Sequence, residues 1–276
     1  MVRSMNDLLI DDLLVRGLIS ILLASLIGGL ASGIVSFTST HFLAAGSLHV
    51  ILASMIIGYI ISILFPEVPP LLVSLAIIAL VSLSIAIAVD RGYGQSTVVS
   101  SVVFISVSLI ALGSYMLVSI DPFGLSIIYS TLIRSPFFIP VEEIVLYTIA
   151  GIAISIAIAY LWKFSIYMSF DPEYFRFVRG PPTLYRASIY VSVSIASMIL
   201  SFILGVVPAH VAILAPSLMY ARLSTIMPVY PLLYIFLTSI ASLFISYYLS
   251  IPYGGVFGII AIISFLIYAM ALRGGR

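Results

Sequence analysis

Long apolar runs separated by short polar turns occupy almost the whole of this 276-residue chain. An apolar run of about 20 residues is long enough to cross a bilayer as a helix, which satisfies its own backbone hydrogen bonds there. We predict eight to nine spans, at about 14–37, 48–65, 70–89, 98–119, 142–165, 185–206, 209–222, 228–249 and 254–273. The seventh is short and follows Pro208, so it is expected to be broken or tilted. The predicted fold class is an all-α, polytopic membrane helix bundle, with residues 1–276 forming a single transmembrane domain.

Composition excludes several other classes of protein. Charged residues make up 8% of the chain, against roughly 25% in soluble domains. Cysteine is absent, which rules out disulfides, thiolate metal sites and thiol catalysis. A net charge of +1 gives no reason to expect a nucleic-acid partner. No phosphate-binding Gly-x-x-x-x-Gly-Lys loop, Gly-x-Ser-x-Gly elbow or His-Glu-x-x-His pair occurs, so we predict that the chain is not an enzyme.

Loop charges predict the orientation of the bundle. Basic residues are favoured in cytoplasmic loops. Placing the 170–185 loop in the cytoplasm puts eight of the eleven basic residues there, namely Arg91, Lys163, Arg176, Arg179, Arg186, Arg222, Arg273 and Arg276. The predicted topology has its N-terminus outside and its C-terminus inside. The 120–141 segment is rich in Pro, Phe and Tyr and is predicted to be an amphipathic stretch on the outer face.

A short amphipathic helix is predicted at 171–180, between two spans. Asp171 is a good N-cap, Pro172 suits the first helical position, and Gly180 can adopt the left-handed conformation that ends a helix. The charges complement the helix dipole, with an acid first and bases last: Glu173, Arg176 and Arg179. Four apolar side chains have no obvious core of their own: Tyr174, Phe175, Phe177 and Val178. This pattern predicts a docking element for a soluble partner.

Five stretches resemble motifs of the zinc/manganese/iron family of ABC importer permeases, the ABC-3 family. Residues 169–173, Ser-Phe-Asp-Pro-Glu, are similar to the start of that family's coupling helix. The others follow in the family's order and bring the resemblance to about residues 15–272: His41 to His49, Gly205 to Pro216, Ala221-Arg222, and Ser246 to Gly254. One position departs from the family pattern, because Ala45 stands where the family has an aspartate four residues before the histidine.

The resemblance implies a function and a set of partners. It implies a homodimeric permease in the cytoplasmic (plasma) membrane, with an ABC ATP-binding subunit docked to each copy and an extracellular substrate-binding protein delivering a divalent transition metal. The metal would be the transported substrate, ATP would be used only by the partner, and no tightly bound cofactor is expected. The residues implied in ATPase docking are Asp171, Pro172, Glu173, Tyr174, Phe175, Phe177, Arg179 and Gly180.

Histidines are the candidate ligands along the transport path, since neutral imidazole suits zinc and is acceptable to manganese and iron. His49 matches a family position where the second span is predicted to begin. His210 lies inside the seventh span, two residues after Pro208. Both are candidates for a transient metal site, with packing against neighbouring helices as the alternative. His41 is expected in a solvated loop before the second span.

Other features leave alternatives open. Glu142 and Glu143, at an outer span end, could contact the delivering protein or simply begin a solvated helix. The small-residue face of Gly28, Gly29 and Gly33 could pack within the chain or against a second copy. The missing aspartate also permits a permease for chelated iron or a cobalamin-like ligand. A membrane scaffold whose cytoplasmic helix docks something other than an ATPase is the alternative outside transport.

Overall fold

The computed structural model describes residues 5–180, 182–220 and 228–274, and is helical over 89% of the chain. Eleven helices follow one another with a 3₁₀ turn at Pro136–Phe138 between α5 and α6. They are α1 Met5–Thr38, α2 His41–Leu64, α3 Pro70–Asp90, α4 Gln95–Ile120, α5 Gly124–Leu132, α6 Val141–Phe170, α7 Pro172–Arg179, α8 Thr183–Leu204, α9 Val206–Tyr220, α10 Val229–Leu249 and α11 Tyr253–Gly274. The all-α fold class is confirmed.

Eight of these helices are long and apolar enough to cross a membrane. The shorter apolar α9 corresponds to the seventh predicted span, at about 209–222. Its shortness follows from Gly205, whose φ of +89° breaks the chain between α8 and α9. A side chain at that position would be strained, and its Cβ would lie 3.0 Å from the Arg134 carbonyl oxygen. The Ala221-Arg222 motif lies outside the described residues, as does the end of the seventh predicted span.

Helices α1 and α8 form the centre of the bundle. They are the most buried of the spans, and α1 packs against α6, α8, α9 and α10. The predicted glycine face makes this packing possible. A Cβ at Gly29 would lie 2.8 Å from the Leu232 Cα of α10, and one at Gly33 would lie 2.2 Å from the ring of Trp162 on α6. The glycines therefore serve close packing within the chain.

Contacts between helix ends define the two faces of the bundle. On the face that carries the 170–185 loop, the Ser169 hydroxyl donates to the Phe37 carbonyl at 2.7 Å. An ion pair joins Asp90 at the end of α3 to Arg186 at the start of α8. On the opposite face, the Tyr59 hydroxyl donates to Asp121 at 3.1 Å. Helix α9 runs from this second face back towards the first, where its end meets Tyr268 of α11, and which face lies outside stays a prediction.

Candidate transport path and docking helix

His210 is held in the interior by two contacts to its imidazole ring. Nδ1 lies 3.0 Å from the Val206 carbonyl oxygen, which can only accept, so Nδ1 donates. Nε2 lies 3.3 Å from the Ser47 hydroxyl of α2, and Ser47 also donates to the Ala44 carbonyl at 2.7 Å. The Ser47 hydroxyl therefore connects α9 to α2 at the nitrogen of His210 that would face a metal ion.

His49 lies close enough to His210 for their charges to interact. It is half-buried, and Ala45, one turn earlier on the same helix face, is exposed. The structure thus brings the two predicted ligands together from helices far apart in sequence. Their arrangement contains no carboxylate at the position where the resemblance would place one.

Two expectations about this segment were wrong. Helix α2 begins at His41, so His49 lies about two turns inside the helix instead of at its start. His41 is half-buried and hydrogen-bonded to the backbone of Ser217 in α9, whereas a solvated loop position was expected. The turn between α1 and α2 consists only of Ser39 and Thr40, so α2 begins eight residues before His49.

Within the described ranges, no group of three or more His, Cys, Asp or Glu side chains could hold a metal ion. Two neutral imidazoles without a carboxylate make at most a weak and transient site. A conduit needs such weak binding, because an ion held tightly cannot leave.

Buried hydroxyl groups extend from this point into the bundle, and the sequence did not reveal them. The Ser82 hydroxyl donates to that of Ser194 at 2.8 Å, joining α3 to α8. Both residues line a small cavity together with Ser47 and Gly46. Serine recurs throughout the spans, and only tertiary contacts distinguish Ser82 and Ser194 from serines that bond solely to their own helix.

The predicted docking helix is present as α7. Tyr174 donates its backbone N–H to the Asp171 carboxylate at 2.8 Å, which confirms the N-cap, and Pro172 opens the helix as predicted. Gly180 ends it with a φ of +83°, its N–H donating to the Arg176 carbonyl.

One premise about the aromatic rings of α7 was wrong. Phe175 does have a core, because its side chain is 2% exposed and packs edge-on against Tyr185 of α8 with ring centroids 5.1 Å apart. Phe177, in contrast, is 90% exposed, and Tyr174 and Val178 are exposed as well. The helix has an inner face that fixes it to the bundle and an outer face free for a partner.

Charged residues of α7 divide between the same two faces. The Arg179 guanidinium lies over the Phe164 ring of α6, 5.7 Å from its centroid, so it is directed towards the bundle. Glu173 is exposed at the start of the helix. Arg179 can therefore position α7, while the exposed acid and rings are the groups available to a docked protein.

The two glutamates on the outer face are not equivalent. Glu143 forms an ion pair with Arg134 and accepts a hydrogen bond from the Tyr147 hydroxyl at 2.9 Å. From the first turn of α6 it thereby ties that helix to the segment after α5, and its contact with a delivering protein stays a prediction. Glu142 is exposed, and no ion pair involves it among the described residues. Of the two, Glu142 is the one free to meet a second protein.

The fold and this arrangement define a polytopic membrane protein with a short capped helix between two spans. No family model matches the sequence, and no curated protein matches it. Among solved structures, the chain is similar to a chain of PsaBC from Streptococcus pneumoniae in complex with Fab, with a TM-score of 0.76 and 17% sequence identity. The likeness covers 96% of this chain and 95% of that one. It shows that the two chains share a fold, and the eight helices of this chain that are long and apolar enough to cross a membrane make it a multi-pass membrane protein.

Proposed function

We propose that the chain is the transmembrane permease subunit of an ABC importer for a divalent transition metal ion: zinc, manganese or iron. The observation that carries the proposal is α7, a capped helix whose sequence matches the start of the family's coupling helix. It lies between two spans of a bundle that resembles an ABC metal permease in fold. Its exposed outer face, with Phe177 90% exposed, is a surface that a docked protein could cover.

Energy for transport comes from outside the chain. An ABC ATP-binding subunit docks against the exposed face of α7, where Glu173, Tyr174 and Phe177 are available. The subunit itself is not an enzyme and holds no tightly bound cofactor. Two copies of the permease assemble as a homodimer, and an extracellular substrate-binding protein delivers the metal at the outer face, where Glu142 is accessible.

The ion passes His49 and His210 on its way inward. Both are neutral imidazoles on different helices, so each can take the ion for a moment without enclosing it. The Ser47 hydroxyl lies 3.3 Å from the Nε2 atom of His210. Ala45 leaves the passage less negative than the family pattern would.

Metal uptake tests this function in cells of the source organism. Deleting the gene should reduce uptake of one radiolabelled ion among zinc, manganese and iron, and the wild-type gene should restore it. The matched control is the same gene carrying Phe177→Ala, which should restore membrane insertion but not uptake. Unchanged uptake of all three ions in the deletion strain would refute the proposal and favour the scaffold alternative.

A chelate permease is the second candidate, and two observations favour it. Ala45 replaces the expected aspartate, and the described residues offer no cluster of three or more metal-ligating groups. A chelated iron or cobalamin-like ligand would not need side chains that bind the metal directly. Uptake of the labelled chelate, with uptake of the free ions unchanged on deletion, would establish this alternative.

A further inference from the structure

Lys163 is the sole lysine of the chain and occupies an unusual place on α6. At 1.5 Å per residue, it lies about 33 Å along the helix from Val141 at the outer end. The hydrocarbon core of a bilayer is about 30 Å thick. The Lys163 ammonium therefore reaches the level of the inner headgroups, while the exposed Tyr160, one turn earlier, faces the lipid.

A second cation reaches the same ring from another helix. The Lys163 Nζ lies 5.1 Å from the centroid of Phe164, and the Arg179 guanidinium of α7 lies 5.7 Å from it. Lys163 also lies 5.9 Å from the Tyr160 ring centroid. Among the described residues, neither cation forms an ion pair with a carboxylate. Two positive charges converge at one aromatic ring with no acid to neutralise them in the part of the chain that the structure describes.

We propose that Lys163 and Arg179, converging on Phe164, form a binding site for the phosphate of an anionic phospholipid in the inner leaflet. Basic groups at the cytoplasmic membrane surface attract anionic headgroups, and the exposed ring of Tyr160 is suited to the adjoining apolar boundary. An acidic protein surface is a poorer match, because Lys163 sits on a membrane span and not on the exposed face of α7.

The site also connects the lipid to the docking helix. Phe164 packs against Tyr185 with centroids 4.9 Å apart, and Tyr185 packs against Phe175 of α7. A phosphate bound by both cations would bridge α6 and α7 and hold Arg179 above the ring. Anionic lipid would then stabilise α7 in the position observed.

The chain provides its own probe for this site. Trp162, its sole tryptophan, is the neighbour of Lys163 in α6. The full chain would be reconstituted into phosphatidylcholine vesicles containing either brominated phosphatidylglycerol or brominated phosphatidylcholine. We expect brominated phosphatidylglycerol to quench the tryptophan at a mole fraction about fivefold lower than brominated phosphatidylcholine needs. Equal quenching by the two lipids would overturn the proposal.

Variants assign the effect to these two residues. Lys163→Gln combined with Arg179→Gln should reduce quenching by phosphatidylglycerol to the phosphatidylcholine level, whereas Lys163→Arg should retain the preference. Arg91→Gln removes a positive charge from another cytoplasmic turn and serves as the control, with the preference unchanged. A preference that survives in the double variant, or that disappears in Arg91→Gln, would contradict the site.

Competition separates a lipid headgroup from a free anion. Millimolar inorganic phosphate should leave the quenching by phosphatidylglycerol unchanged, because the acyl chains hold the headgroup at this depth. Reversal of the quenching by inorganic phosphate alone would show that the site takes the soluble anion, and the lipid assignment would be wrong. Correct folding of each variant is checked by its unchanged elution as a single species.

Discussion

Single residues on α2 and α9 determine what the candidate path can bind. Ser47 donates to the Ala44 carbonyl and also lies beside Nε2 of His210, and one hydroxyl hydrogen cannot serve both. When His210 is neutral with its hydrogen on Nδ1, Nε2 has a free lone pair that can accept from Ser47 or bind a metal ion. Under the proposed function, the hydroxyl would compete weakly with the ion, and binding would stay reversible.

We expect His49→Ala to reduce metal uptake at least tenfold, roughly the loss caused by removing an outer-shell partner of a metal ligand. The protein level should not change, because His49 is only half-buried. Uptake of labelled ion is the measurement, with His41→Gln as the control that keeps a hydrogen-bonding group at the start of α2. Normal uptake by His49→Ala would remove this residue from the path.

Ala45→Asp should tighten cation binding in a titration of the purified chain.

The neighbouring glutamates of the outer face allow a matched test. Glu143→Gln should lower the thermal unfolding temperature, because the ion pair with Arg134 and the bond from Tyr147 are weakened, at a cost on the order of 1 kcal/mol. Glu142→Gln should leave that temperature unchanged and weaken binding of the substrate-binding protein. Thermal unfolding and a binding titration distinguish the two effects. Equal behaviour of the two variants in both assays would mean that Glu142 is not a contact residue.

At the scale of elements, α7 is a short helix with two different faces. It has only eight residues, too few to be stable in isolation, so its position depends on what it packs against. Phe175 provides that contact by inserting beside Tyr185, and Arg179 adds a second one over Phe164. A displacement of α7 by a protein bound to its outer face would therefore act on α6 and α8 through these two contacts.

The two phenylalanines of α7 should respond differently to truncation. Phe177→Ala removes a fully exposed ring and should weaken ATPase docking by about 2 kcal/mol without changing the thermal unfolding temperature. Phe175→Ala opens a cavity beside Tyr185 and should destabilise the chain by about 3 kcal/mol. Binding of the ATPase subunit and thermal unfolding are measured for both. Unimpaired docking in Phe177→Ala would show that this ring rests on the lipid interface.

The limits of the sequence are clearest in this element. The cap residues predicted α7 because Asp171, Pro172 and Gly180 act through local backbone geometry. The inward direction of Phe175 was not predictable, since aromatic residues surround the helix and the choice depends on Tyr185 of α8. His41 was misplaced for the related reason that its partner, Ser217, lies in a distant helix.

At the scale of the whole molecule, hydropathy located the spans but not their neighbours. A run of apolar residues is required for every span, so the pattern indicates position along the chain and depth in the membrane. It does not distinguish the central α8 from the peripheral α4, although the first is mostly buried and the second mostly exposed. Close packing at Gly29 and Gly33 places α1 against α10 and α6, and the spacing of the glycines alone left these partners undetermined.

Replacing Gly33 should therefore disturb the assembly of the bundle. Gly33→Ala places a methyl group against Trp162 and should destabilise the chain by about 1–3 kcal/mol, with a shifted tryptophan emission. Gly255→Ala is the control, because a Cβ there has no neighbour within 4 Å. Thermal unfolding and fluorescence provide the measurements. A stable Gly33→Ala variant with unchanged emission would show that α1 and α6 can separate without cost.

Topology is the last prediction and determines the side from which every partner must approach. Because the natural chain contains no cysteine, a single introduced thiol reports one position without background. Glu173→Cys should react with a membrane-impermeant maleimide only after the membrane is opened, since α7 lies in the cytoplasm under the positive-inside rule. Phe123→Cys, at an exposed position on the opposite face, should react in intact cells. The reversed pattern would put α7 outside, where no ATPase could reach it, and the importer proposal would have to be abandoned.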